Sequence, residues 1–214
     1  MSEKDDILEG KIAEAAAEEF MDKGFRDASM RQIAKRAGLT TGALYSHYDN
    51  KDVLFCSVVG SALEAIRSEF APIQQIHEAA RSAGDPEQII EAVRKEGQIY
   101  LDILFRHYDQ CMLLFCRSDG SSLQGTLELL TAEKARQTAA LLKPLIKKEA
   151  DFDGLEFIFS EQFRFYRKVL EEGCTKEKAA SCLETIGTCV EAGLRELFQL
   201  KRGALLTGFR RGRQ

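Results

Sequence analysis

AGLTTGALYSHYDNKDVL, residues 37–54, is the stretch on which the reading of the whole chain turns. Thr40 is a good helix N-cap and predicts a short helix running from there to about Tyr48. With Leu44 and Tyr48 one turn apart on the core side, Gly42, Ala43, Tyr45 and Ser46 fall on the outer arc, with His47 at its margin. Thr40 and Thr41 occupy the exposed tip. A helix with so little apolar surface, and with an aromatic and basic outer side, is shaped to face something polar.

Upstream, Ile12, Ala15, Ala16, Phe20 and Met21 recur at helical spacing, and Gly24 ends that helix. Ser29 is placed to cap a second, short helix whose apolar stripe is Met30, Ile33, Ala34 and Ala37. Gly38 breaks it and Leu39 points inward. Downstream, Asn50 caps a fourth helix that starts at Lys51 and continues through Val53, Leu54, Val58, Val59 and Leu63. The second and third helices read as a helix-turn-helix, in which the later helix lies in the DNA major groove with its first residues at the base edges. Gly42 and Ala43 let the backbone approach, and the Ala43 methyl matches a thymine methyl. Tyr45, His47 and Lys51 are placed to donate to phosphates, and Arg31 to a phosphate or a guanine edge.

Charge agrees. Residues 26–51 hold Arg26, Arg31, Lys35, Arg36 and Lys51 against Asp27 and Asp49, a local net of +3 in a chain whose overall charge is −4. A solvated helix surface would look the same, so charge alone decides nothing.

The run from Ile12 to Leu54 resembles the N-terminal domain of the tetracycline-repressor (TetR) family. KGF, the IA–AG pair, G-x-LY-x-H-[FY] and the closing [SN]-K-[DE]-x-L occur in order, and the likeness covers about residues 7–55 of 214. It implies DNA contacts at Arg31, Thr41, Ala43, Tyr45, His47 and Lys51. It also implies repression, and a larger C-terminal domain that binds a small-molecule effector and forms a homodimer. Two departures stand out: Tyr48 where Phe is commoner, and Met30 where a Thr or Ser sometimes touches the DNA backbone.

The remaining residues are helical and carry no catalytic signature. Helices are expected over 87–106, 109–116, 123–148, 155–172 and 175–201, with breaks at Pro72, 82–86, 117–122 and 151–154. The three histidines, His47, His77 and His107, have no metal-ligand spacing, and no phosphate-binding glycine loop occurs. Ala179, Leu183, Ile186, Val190, Gly193, Leu197 and Leu200 step alternately by four and three residues, which makes an apolar seam. The preceding helix, with Phe163 and Tyr166, is apolar on more than one side. Together they predict a dimer interface at Phe163, Tyr166, Leu183, Ile186, Val190, Gly193 and Leu197, with an intrachain packing face as the alternative. Tyr100, Phe105, His107 and Tyr108, with Cys111, Met112, Phe115 and Cys116, are candidate walls of an effector pocket; plain core is the rival reading.

The expectation is therefore an all-α chain. Residues 1–52 form a three-helix helix-turn-helix DNA-binding domain, 53–200 a helical effector-binding and dimerisation domain, and 201–214 a basic flexible tail. Its partners are double-stranded DNA carrying a palindromic operator, an unknown small-molecule effector and a second copy of itself. No cofactor, metal, membrane segment or enzymatic activity is expected. The acidic N-terminus lacks a secretion pattern, and the six cysteines have no CxxC pair, so a cytoplasmic location is expected. The alternative is an effector- or redox-sensing protein, with Cys111 and Cys116 as the redox pair, whose helix-turn-helix no longer binds DNA.

Overall fold

The computed structural model describes residues 3–83, 85–146 and 152–199. Among them are nine α-helices and no strand: α1 (Glu3–Asp27), α2 (Met30–Arg36), α3 (Thr41–His47), α4 (Lys51–Ala83), α5 (Pro86–Arg106), α6 (Tyr108–Cys116), α7 (Thr126–Leu142), α8 (Phe152–Glu171) and α9 (Lys176–Leu197). A 3-10 turn, Lys143–Leu145, follows α7. The fold is all-α, with an N-terminal helix-turn-helix and a larger helical C-terminal body.

Side chains set several helix starts. Thr40 Oγ1 accepts from the Ala43 amide at 3.1 Å, and Asn50 Oδ1 from the Val53 amide at 2.9 Å. Asp85 and Thr175 do the same for α5 and α9. Each meets an amide that the first helical turn leaves without a partner. Ser29 precedes α2 in an extended conformation, as a cap residue should, but its side chain makes no capping bond. Its amide instead donates to Glu19 of α1.

The head core joins Ile12, Ala16 and Phe20 of α1 to Ile33 of α2, Leu44 of α3, and Leu54 and Phe55 of α4. It continues without a break into Leu113 and Leu114 of α6. The body is built where α7 packs on α8, α4 on α5 and α5 on α9. Ile89 and Ile90 meet Ala139, Leu155, Phe159 and Leu194 in one cluster; Leu101, Cys111, Tyr166, Val169 and Leu183 meet in another.

Three boundaries differ from the sequence reading. First, α4 runs on through Pro72, where a break is expected. A proline removes one amide and crowds the preceding turn at a cost of about 3 kcal/mol, while Leu54, Phe55, Val59, Ala62 and Ile66 are all buried upstream and hold the helix. Second, α7 stops at Leu142 and tightens into the 3-10 turn that carries Pro144, short of the expected 148. Third, α8 already begins at Phe152, inside the expected break. Leu200, the basic tail and the side chain of Phe163 lie outside the described residues.

Head and body are tied through one loop. At Gly24 (φ 70°, ψ 167°) the chain leaves helical geometry, and the next amide, that of Phe25, donates to the Arg117 carbonyl at 2.8 Å. Five residues on in that loop, the Ser122 amide donates to Asp52 Oδ1 at 2.8 Å.

Candidate nucleic-acid interface and interior cavity

The turn between α2 and α3 is closed by backbone geometry. Gly38 (φ 73°) adopts the left-handed conformation that ends a helix. Its amide reaches the Lys35 carbonyl, and the Leu39 amide reaches that of Ala34 at 2.8 Å, the paired bonds of a Schellman stop. α2 is held on α1 by Glu19, which is buried and accepts from the Ser29 amide at 3.3 Å. Arg36 of α2 meets both Glu18 (3.1 Å) and Glu19 (3.5 Å). The Arg36 charge is thus largely answered within the protein, whereas Arg31 stands exposed on the same helix.

On α3, Leu44 is the one fully buried side chain. Thr40, Gly42, Tyr45, Ser46 and His47 are exposed, with Tyr45 at 48% of its free surface; Thr41 and Ala43 are half-buried. Tyr48 ends the helix, half-buried against the head core. Hydrogen bonding divides the hydroxyls. Thr40 caps by accepting, so its own proton remains available to a phosphate oxygen. Ser46 donates to the Ala43 carbonyl at 2.6 Å, which leaves its oxygen only as an acceptor toward a base edge.

Lys51, a phosphate donor in the sequence reading, also makes bonds within the protein. Its ammonium donates to the carbonyls of Arg26 (3.0 Å) and Ala28 (2.9 Å), and lies 4.7 Å from the centre of the Phe25 ring. Two of its three N–H bonds close the end of α1 onto the start of α4. Lys51→Met is accordingly expected to cost about 1–2 kcal/mol, because both bonds are charge-assisted, one exposed and the other half-buried. A chemical denaturation curve checks this; unchanged stability would return Lys51 to the role of a simple phosphate contact.

Residues 12–58 match the model of the bacterial regulatory proteins of the tetR family. Those residues thus carry the N-terminal domain that this family model describes. Over 62 residues it is 37% identical to the HTH-type transcriptional regulator SrpR of Pseudomonas putida, a match that covers 29% of each chain. It is 35% identical over 68 residues to UidR of Escherichia coli, covering 31% of this chain and 35% of that one. The chain thus spans about a third of the length of these curated relatives. Among solved structures, a TetR-like transcriptional regulator from Rhodococcus superposes with a TM-score of 0.56 at 23% identity, over 87% of this chain and 96% of that one. The fold of that regulator therefore extends through both halves of this chain.

Within the C-terminal body, the structure separates the expected effector-wall residues. Tyr100, Cys111 and Phe115 line a cavity of about 40 Å³; Phe105, His107, Tyr108 and Met112 do not border it, and Cys116 borders a neighbouring cleft. Phe105 tilts against Tyr108, whose hydroxyl donates to the Leu170 carbonyl at 3.4 Å. Sequence reasoning missed the polar end of the cavity, where Lys134 lies 2.8 Å from Glu96. The Glu96–Tyr100 spacing of one helical turn is its only local signal.

Of the expected interface residues, Tyr166 and Leu183 are buried within the chain. Tyr166 donates to the Gly97 carbonyl at 3.0 Å, and a methyl of Leu183 lies 3.5 Å from where a Gly97 Cβ would stand. A Cβ at Gly97 would meet both Leu183 and the Tyr166 hydroxyl at ordinary van der Waals distance. Ile186, Val190 and Leu197 are half-buried and Gly193 is exposed. Large apolar side chains that do reach solvent include Phe157 (66%) and Ile158 (52%) of α8.

Burial pushes the Cys111 thiol up to about 12 and that of Cys116 to about 11, the latter also raised by Glu171 and lowered by Arg167. Neutral thiols are poor nucleophiles. Thiol-reactive reagent at neutral pH is expected to label exposed Cys189 first, and Cys111 and Cys116 only as the protein unfolds. Rapid Cys111–Cys116 disulfide formation would overturn this. Because folding raises the Cys111 value from about 9, its stabilising share is complete below pH 9 and lost as pH climbs toward about 12. No helix among the described residues is long and apolar enough to cross a membrane.

Proposed function

We propose that the chain is a cytoplasmic transcription regulator, acting as a repressor, that binds a palindromic operator as a homodimer and is released by a small-molecule effector held in the C-terminal body. One observation carries the reading: α3 buries Leu44 and turns Thr40, Gly42, Tyr45, Ser46 and His47 outward, at the end of a helix-turn-helix of a regulator family. Two such helices, one per protomer, would address half-sites about one helical turn, or a multiple of it, apart. Phe157 and Ile158, together with the half-buried Ile186, Val190 and Leu197, supply apolar surface for the second copy. Arg31, Thr40, Thr41, Gly42, Ala43, Tyr45, Ser46, His47 and Lys51 are the proposed DNA contacts, with Lys51 also holding α1 to α4. The effector acts only through its unequal affinity for the DNA-bound and free states.

Fluorescence anisotropy of the full chain on DNA flanking its own gene, against scrambled DNA at two salt concentrations, tests this. Selective binding by two subunits per site, weakening steeply with salt, is the expected result. Weak binding, equal on both DNAs, would overturn it.

A further inference from the structure

The body of this protein keeps a lysine ammonium indoors. Lys134 of α7 and Glu96 of α5 have side chains only 8% and 6% exposed, with Nζ and Oε1 2.8 Å apart. The same Glu96 oxygen accepts from the Tyr100 hydroxyl at 2.8 Å. The ring of Tyr166 lies 5.7 Å from that of Tyr100. An ion pair buried this way adds little to stability compared with apolar side chains of the same size.

The pair lies between two small cavities. Lys134 borders the first, about 40 Å³, whose other walls include Ile103, Leu104, Leu127 and Leu130. Glu96 borders the second, about 20 Å³, with Val93, Thr138 and Phe159. Tyr100 and Tyr166 border both. Parting the ion pair would join them into one chamber, apolar around Ile103, Leu104, Leu127 and Leu130 and more polar toward Thr138, with a carboxylate and two phenol rings inside.

The two members are not equally able to leave. Glu96 is short and held by Tyr100, one turn further along the same helix. Lys134 has a four-carbon stem that can lie along apolar surface while its ammonium seeks water. Thr131, one turn before it, also borders the open groove between α7 and α8, where Glu128 and Glu171 pair with Arg167 and Glu172 pairs with Lys168.

We infer that this chamber is a binding site for a hydrophobic amine, whose ammonium takes the place of Lys134 at Glu96 while its apolar part fills the two joined cavities. The closed structure already displays the recognition, since the lysine side chain is itself an alkylammonium seated on that carboxylate. Lys134 then acts as an internal competitor that keeps the site shut when no amine is present. As an effector, the amine rests on the regulator reading above; as a ligand, it does not.

Octylamine, octanoate and octanol, kept below micelle-forming concentrations, are the probes, with calorimetry and thermal melting of the full chain as readouts. Octylamine is expected to bind and raise the melting temperature, with octanoate and octanol at least about tenfold weaker. Glu96→Gln should weaken octylamine about tenfold or more, whereas Lys134→Met should tighten it by a similar factor, because the closed state no longer competes. The double variant, which removes both charges, controls for damage to the fold, and the wild-type comparison decides the matter even if Lys134→Met fails to fold. Preference for octanoate, abolished by Lys134→Met, would overturn the inference in favour of an anion seated on the lysine; binding of none of the three would overturn it outright. Operator DNA separates the two readings. Amine binding that leaves operator affinity unchanged sinks the amine as effector and keeps the site, while operator release by some other compound, without amine binding, sinks the site and keeps the regulator.

Discussion

Gly42→Glu is expected to abolish operator binding while leaving the protein at least as stable as before. Gly42 is the second residue of α3, is exposed, and has nothing within 4 Å of where a Cβ would stand. The folded head therefore accepts the side chain without strain. Helix energetics favour it: replacing a helical glycine gains about 0.5–1 kcal/mol, and a carboxylate in the first turn gains about 0.3–1 kcal/mol against the helix dipole. Toward DNA every term reverses. The glycine that lets the backbone approach becomes a projecting anion, facing a duplex with one phosphate charge per ~1.7 Å of axis. Affinity should fall by about 100-fold or more, equivalent to roughly 3 kcal/mol. Anisotropy and a melting curve on one preparation measure both halves of the prediction. Retained affinity would mean that α3 is not the helix presented to the groove.

Phe55→Ala should do the opposite and take stability and DNA binding down together. Phe55 is fully buried at the centre of an aromatic trio, its ring 5.0 Å from that of Phe20 and 5.2 Å from that of Phe25, both met edge-on. Removing a buried phenylalanine costs about 3–5 kcal/mol in lost transfer energy and residual cavity, against a total stability of about 5–15 kcal/mol for typical proteins. Phe20 and Phe25 flank Gly24, so the cavity opens where α1 bends toward the body. Urea denaturation followed by circular dichroism gives the loss directly. A cost below about 1 kcal/mol would show that the trio collapses onto the gap.

What could be read from the sequence was local. Thr40 and Asn50 cap as their positions predict, Gly38 stops α2, and the apolar stripe of Met30, Ile33 and Ala34 is buried. Each of these depends on residues within one or two turns. Ser29 stands at the cap position without a side-chain capping bond, and its amide donates to Glu19, ten residues upstream. Tyr166 read as outward-facing because its helix is apolar on several sides, and only the carbonyl of Gly97, 69 residues away, fixes which side turns inward. Lys134 sits among the charged residues of a helix that looks solvated, and its burial is set by Glu96 on another helix. Lys51 has the position of a phosphate donor, and nothing in its neighbourhood tells that the carbonyls of Arg26 and Ala28 lie within reach. Contacts between distant segments decided every one of these cases.

The manner in which head and body are joined also bears on whether these heads can be exchanged. Leu54, Phe55 and Val59 sit beyond residue 52 yet complete the core under α1, α2 and α3. The Phe25 amide and the Asp52 carboxylate find their partners at Arg117 and Ser122. A hybrid gene spliced at residue 52 would carry a new set of recognition residues without the floor they rest on. The joint that preserves the head lies past Val59, and it has to bring the 117–122 loop with it. On the docking proposed above, new DNA specificity is more safely introduced by rewriting the outward positions of α3 than by transplanting the domain that bears them.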